Sequence, residues 1–288
     1  MTLENAVNNR ISNSSVHRRK PQNWFVALLL VIIILATVFP FYWMVTASFK
    51  TRSDVLAFPP AFLFTPTLEH YATAFLEAGI GKNVLNSLIV SISSTLLALM
   101  IGTPCAYALA RWEWKGKRDL WFWIISNRFM SPIVLALPFY LIANQLGMLN
   151  NLLTLVIIYL TFNIPLVVWL TMDQFRNIPK EIDEAAVVDG ANMFQVFLRV
   201  VLPLATPGVV VGAILSFIFS WNEMLFALIL TRSEARTAPV AATSFMSGYD
   251  LPWSVIMATG TIIVLPVIIF AMGVSRHLVR GLTLGAVK

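Results

Sequence analysis

Residues 173–203 read Asp173-Gln-Phe-Arg-Asn-Ile-Pro-Lys-Glu-Ile-Asp-Glu-Ala-Ala-Val-Val-Asp-Gly-Ala-Asn192, then Met193-Phe-Gln-Val-Phe-Leu-Arg-Val-Val-Leu-Pro203. The first half has the pattern of a short helix. Pro179 suits a first helical position, where a missing N–H costs nothing. Glu181, Asp183 and Glu184 follow at the end where the macrodipole favours negative charge, and Gly190 suits a left-handed C-terminal cap. A second helix starts at once. Asn192 with Gln195 has the spacing of a capping box. Phe194, Phe197, Leu198 and Val201 fall at i, i+3, i+4 and i+7 on one apolar face, and Pro203 is expected to end the helix. The spacing predicts a helix–turn–helix, with small residues Ala185 and Ala186 that let another surface approach the backbone. By composition alone, the same pattern also suits a helix lying on lipid headgroups.

On either side of this segment the chain is strongly apolar. Of 288 residues 58% are hydrophobic and only 12% charged, about half the charged share of soluble domains. A mean hydropathy of +0.78 points the same way, and a bilayer is the solvent that holds such a chain. Six segments reach the roughly 20 apolar residues a crossing helix needs: Trp24–Thr46, Val84–Ala110, Leu120–Ala143, Leu152–Met172, Gly208–Leu230 and Ile256–Ser275. The first follows Arg18, Arg19 and Lys20 as a signal peptide would. Its apolar run is too long for one and no small-residue cleavage site follows, so it reads as a retained span.

Six spans put both termini on one side. The N-terminal tail, the Arg111–Asp119 loop, the Asp173–Pro203 segment and the tail from Arg276 carry 14 of the 20 Lys and Arg, the opposite loops five, and the third span holds the last, Arg128. The positive-inside rule then places both termini in the cytoplasm. The domain reading is a tail over 1–23, a permease-like membrane domain over 24–275 with the informative segment at 174–203, and a tail over 276–288. Chemistry at a metal or a disulfide is not indicated. Cys105 is the only cysteine, His17, His70 and His277 are far apart, and neither HExxH, CxxC nor a Walker A pattern occurs.

Glu184-Ala185-Ala186-Val-Val-Asp189-Gly190-Ala191, with Leu202-Pro203 downstream, resembles the EAA motif of bacterial ABC-importer permeases. The likeness extends to Ala106-Tyr107-Ala108-Leu109-Ala110-Arg111 with Gly116-Lys117-Arg118, to Trp221-Asn222-Glu223, and to the ending Gly281–Lys288. It points to the carbohydrate-uptake branch and its maltose-permease-G-like subunits. The resemblance implies an all-α integral membrane protein of the type I ABC importer permease fold, six transmembrane helices and a cytoplasmic coupling helix, in a bacterial inner membrane. It implies a transport subunit rather than an enzyme, with no cofactor of its own and with ATP and Mg held by partner ATPase subunits. The implied partners are a second permease, two ATP-binding subunits, an extracytoplasmic solute-binding protein and membrane lipid, with no nucleic acid. The cargo is expected to be a sugar, oligosaccharide or polyol. Glu184, Ala185, Ala186, Asp189, Gly190 and Ala191 would form the docking surface for the ATPase.

Two further regions carry expectations. Asn127 and Arg128 lie within the third span, where a charge costs roughly 2.5–3.5 kcal/mol and usually faces a cavity or partner. Arg128 is read as a lining residue of a translocation path, or as an arginine that snorkels to the cytoplasmic surface. Trp221, Asn222 and Glu223 suit a sugar, since an aromatic stacks on CH faces beside hydrogen-bonding groups. Glu223 equally suits pairing with a charge on a neighbouring span. The outer loop from Thr231 to Trp253 resembles the one that, in maltose-type systems, enters the binding protein. Ser244, Ser247, Gly248 and Tyr249 are its candidate contacts, and an ordinary solvent loop is the alternative. An ion-coupled secondary transporter would show acidic or ion-coordinating groups repeated in two halves, and no such repeat is found.

Overall fold

The computed structural model describes residues 24–77, 79–246 and 251–283. The chain divides into two compact units, Met1–Thr46 and Ala47–Lys288. In the first, helix α1 (Trp24–Ser48) is a 25-residue apolar rod, about 37 Å long at 1.5 Å per residue and so long enough to cross the hydrocarbon. Two threonine hydroxyls turn back onto the helix, Thr37 to the Ile33 carbonyl (2.8 Å) and Thr46 to that of Tyr42 (2.9 Å), which satisfies them without water.

The second unit is built on three long helices. These are α4 (Ile80–Arg111), α7 (Leu152–Asn177) and α9 (Met193–Asn222). Short helices α2 (Arg52–Leu56) and α3 (Glu69–Leu76) precede them. Between α4 and α7 lie α5 (Lys117–Phe129) and α6 (Pro132–Gln145). The hairpin helix α8 (Lys180–Val188) joins α7 to α9. The chain closes with α10 (Leu225–Leu230), α11 (Ala238–Thr243) and α12 (Trp253–Thr283). Among the described residues five helices, α1, α4, α7, α9 and the Trp253–Gly273 part of α12, are each long and apolar enough to span a membrane.

The expected third span is a bent pair rather than one helix. α5 and α6 meet at 97°. The cause is Pro132, which lacks an N–H and pushes the residues before it out of the helical region; Met130 and Ser131 are both extended. The expected stop at Pro203 is also corrected. The helix runs on through Pro203 to Asn222, with a π-helical stretch at Val196–Val201 just before it. There the Leu202 N–H reaches the Phe197 carbonyl, five residues back. The wider turn absorbs a proline that an α-helix interior would reject. At the other end the expected span to Leu230 breaks at Glu223-Met224, between α9 and α10.

Small residues let α4 and α7 approach. A Cβ built on Gly102 would lie 2.8 Å from Val167 Cγ1, closer than two carbons can pack. At mid-depth three polar side chains tie the trio together. Asn163 Nδ2 donates to Ser220 Oγ (2.8 Å), and Ser220 Oγ lies 3.1 Å from Ser94 Oγ. All three are buried, the interhelical hydrogen bonding expected where lipid offers no alternative partner.

Candidate functional site

The helix–turn–helix of residues 180–201 is capped on both sides of its turn. α8 ends in a Schellman motif: Gly190 N–H reaches the Val187 carbonyl and Ala191 N–H the Ala186 carbonyl, both at 3.0 Å. Gly190 adopts φ +88°, a conformation that costs an L-residue roughly 1–2 kcal/mol. Asn192 and Gln195 then close a reciprocal capping box at 3.0 Å each. Pro179 stands one place earlier than expected, at the N-cap rather than inside the helix.

This turn presents Glu184, Ala185, Asp189 and Gly190 to solvent, while Ala186 and Ala191 turn half-buried toward the core. Around the tip stand apolar side chains with nothing over them: Val188 is 86% and Phe194 70% exposed. Beside them a groove of about 390 Å³ is lined by Arg111, Trp112, Glu184, Val188 and Met193.

The hairpin is clamped to the end of α4. Arg111 holds Asp183 in a two-pronged pair, Nε to Oδ2 and Nη2 to Oδ1, both 2.9 Å. Its third arm reaches the Ile178 carbonyl at 2.9 Å. Tyr107 Oη donates to the same carboxylate at 2.8 Å. The guanidinium is 5% and the carboxylate 16% exposed. Such a geometry gives a bidentate pair directional strength. The Tyr107 ring packs on Phe175 and Phe197, centroids 5.5 and 5.1 Å away, so α4, α7 and the second hairpin helix share one aromatic contact.

A second feature lies deeper. A cavity of about 190 Å³ is lined by Asn127 and Arg128 from α5, Thr161 and Phe162 from α7, Phe219 from α9, and Glu223. The Arg128 guanidinium sits 4.5 Å from the Phe219 ring centroid, a cation–π contact with the neighbouring helix. Glu223 accepts from Tyr159 Oη (2.8 Å) and from the backbone N–H groups of Phe226 (2.9 Å) and Ala227 (3.2 Å). It thus caps the positive end of α10 while one edge faces the cavity. Trp221 and Asn222 do not line it. Trp221 is buried and stacked on Phe217, and Asn222 is exposed with its amide on the Ile218 carbonyl (2.8 Å).

At the end of α4 away from the hairpin, the segment 231–237 is held down by two asparagines. Asn150 Oδ1 accepts from the N–H groups of Arg232, Ser233 and Ala235 at 3.0–3.2 Å. Asn86 Nδ2 donates to the carbonyls of Glu234 and Arg236 at 2.8 and 3.0 Å, and Lys82 pairs with Glu234. Ser244 receives a hydrogen bond from Arg236 Nη1 at 2.9 Å. Ser247, Gly248 and Tyr249 lie outside the described residues.

Residues 11–284 match the family model for the binding-protein-dependent transport system inner membrane component. The chain belongs to this family. Among the permease's relatives, a probable ABC transporter permease protein, y4oR, of Sinorhizobium fredii is 36% identical and covers 96% of this chain and 99% of its own. The trehalose transport system permease protein SugB of Mycobacterium tuberculosis is 35% identical, covering 94% and 98%. The trehalose/maltose transport system permease protein MalG of Thermococcus litoralis is 33% identical, covering 91% and 94%. The fold is that of a chain from a bacterial ABC transporter for the acidic polysaccharide alginate, with TM-score 0.74 at 23% identity over 88% of this chain and 94% of that one. The permease is therefore a multi-pass inner-membrane transport subunit of the ABC-importer type.

Asp183 and Tyr159 are the site residues that the sequence reading of the permease passed over. Asp183 was legible only as a charge suited to a helix start, because its partner Arg111 is 72 residues away. Tyr159 reads as one more apolar position in a span. Val188, a large apolar residue directly before the polar cap Asp189-Gly190, was the available sign of an unusual turn.

Proposed function

We propose that this chain imports a sugar, oligosaccharide or polyol as half of a permease pair, with a second permease of the same family, two ATP-hydrolysing subunits and an extracytoplasmic binding protein. The carbohydrate class rests on the relatives named for trehalose and for trehalose/maltose transport. A further relative, the diacetylchitobiose uptake system permease DasC of Streptomyces coelicolor, is 33% identical and covers 90% of this chain. Both termini are cytoplasmic on this reading, and ATP with its Mg is held by the ATP-hydrolysing partners.

The observation that carries the proposal is the hairpin: an exposed, capped turn with apolar knobs, rigidly bonded through Asp183 to a long helix. Glu184, Ala185, Asp189 and Gly190 form the face that docks on an ATPase subunit, with Ala186 and Ala191 behind it setting the turn. When two ATPase subunits close on ATP, their differential affinity for the closed dimer biases the permease between two states. The displacement enters at the hairpin tip and passes to α4 through the Arg111–Asp183 pair and to α7 through the Tyr107–Phe175 contact. The cavity at Asn127, Arg128 and Glu223 lies on the cargo's route, with Arg128 and Asn127 as hydroxyl-directed donors. Ser244 and the segment after it face the binding protein.

The test is coupled uptake in proteoliposomes containing the assembled importer. Gly190→Arg is expected to abolish uptake while leaving insertion and the amount of assembled permease unchanged. A Cβ built at Gly190 meets nothing within 4 Å, so within this chain the cost at that atom is the backbone strain of a side chain at φ +88°. Normal uptake by Gly190→Arg would mean that the hairpin is not the docking surface.

A further inference from the structure

We infer that the cavity where the ends of α4 and α7 meet the start of α5, near the hairpin, binds the phosphodiester headgroup of an anionic phospholipid. The cavity has about 410 Å³ and is walled by Glu113, Lys117, Arg118, Asp119, Trp121 and Arg176 over an apolar floor. The charges decide the ligand class. Lys117 Nζ donates to Glu113 Oε1 at 2.6 Å, so these two largely neutralise each other. Arg176 approaches Asp173 only at 3.9 Å, with both side chains more than half exposed, and such a pair is weak. That leaves two guanidiniums, Arg118 and Arg176, against the carboxylate of Asp119 on the cavity wall. The surplus is one positive charge, which suits a monoanionic phosphodiester better than a neutral headgroup.

A second observation is independent of charge. The indole Nε1 of Trp121 is buried with no hydrogen-bond partner among the described residues. A buried donor without an acceptor is costly, and because Trp121 stands on the cavity wall a turn of its indole would offer that donor to a phosphate oxygen. A third observation separates a lipid from a free phosphate. The two residues after Trp121, Phe122 and Trp123, are each 66% exposed. The outer face of α5 thus continues the headgroup cavity as an apolar track on which acyl chains lie. Basic pockets between helices at the cytoplasmic interface bind anionic headgroups by this combination. The inference is independent of what the importer carries.

The experiment is native mass spectrometry of the importer, purified in detergent with its accompanying subunits and stripped of lipid, after addition of phosphatidylglycerol, phosphatidylcholine or inorganic phosphate. Wild-type protein is expected to retain phosphatidylglycerol over phosphatidylcholine, and excess inorganic phosphate should not displace it. Arg118→Gln and Arg176→Gln should each weaken retention about fivefold, the effect of one basic side chain near a membrane surface. Trp121→Phe keeps a six-membered aromatic ring but removes the donor, and should also weaken retention about fivefold. It is the variant to rely on if the arginine changes disturb folding. Equal retention of phosphatidylglycerol by wild type and Trp121→Phe would overturn the inference. So would equal retention of phosphatidylcholine, displacement by inorganic phosphate, or retention only after the ATPase subunits are removed, which would assign the cavity to a partner's acidic side chain.

Discussion

At Gly190 the backbone sits at φ +88° with open space where a side chain would go. These two facts separate backbone from docking effects. Gly190→Asn is expected to be mild, since asparagine tolerates the left-handed region, whereas Gly190→Arg loses coupling because its side chain fills the approach. Comparing uptake per inserted permease for the two variants checks this. The Arg111–Asp183 pair makes a sharper case. Asp183→Asn leaves a guanidinium that is 5% exposed without its counter-charge, and breaking a buried pair costs roughly 3–5 kcal/mol. Thermal unfolding in detergent should show that loss, with uptake falling more than assembly. Arg128→Ala removes the contact with Phe219 but no ion pair, and among the described residues no carboxylate lies within the ion-pairing distance of it. Transport should fall while stability changes by about 0.5–2 kcal/mol, the scale of a cation–π contact. A variant that transports normally would return Arg128 to a lipid-facing, snorkelling role.

At the scale of the elements, the sequence made the capped hairpin readable because caps are local. Asn192, Gln195 and Gly190 act on backbone groups within a few residues, and they stand where the spacing placed them. The bent pair α5–α6 was written just as locally, in Ser131-Pro132, but an average over a twenty-residue window runs across it. Pro203 misled in the opposite direction. Its local rule predicts a stop, and the rule was overridden by a π-helical turn held by the packing of Val196, Phe197 and Val201 in the core. The segment 231–237 was unreadable, since its anchors Asn150 and Asn86 are more than eighty residues away. Asn150→Ala should free it. Each lost bond is worth about 1 kcal/mol, so amide exchange at Arg232, Ser233 and Ala235 should speed up about fivefold, with exchange in α7 unchanged. Packing between long helices is equally testable. Gly102→Val forces a Cβ to 2.8 Å from Val167, and overpacking of this kind costs about 1–3 kcal/mol, readable as a lower melting temperature.

At the scale of the whole molecule, the features serve one another. The hairpin at one end of α4 and the stapled segment at the other are joined by a single 32-residue helix, and the polar contact of Ser94, Asn163 and Ser220 fixes that helix to α7 and α9 midway. On the proposed mechanism a push at the hairpin therefore enters a continuous helix rather than a loop. The apolar content of the chain made a membrane protein legible from composition alone. On the proposed reading the exposed tip of the hairpin meets another chain, which is why the central claim is tested by what accompanies this one. The measurement is purification of the tagged permease from its native membrane in mild detergent, with identification of the proteins that come with it. The account predicts a second permease of the same family together with an ATPase bearing Walker motifs, and their loss on Gly190→Arg for the ATPase but not for the permease partner. A chain that purifies alone or as a homomer, still folded and active in transport, would contradict it.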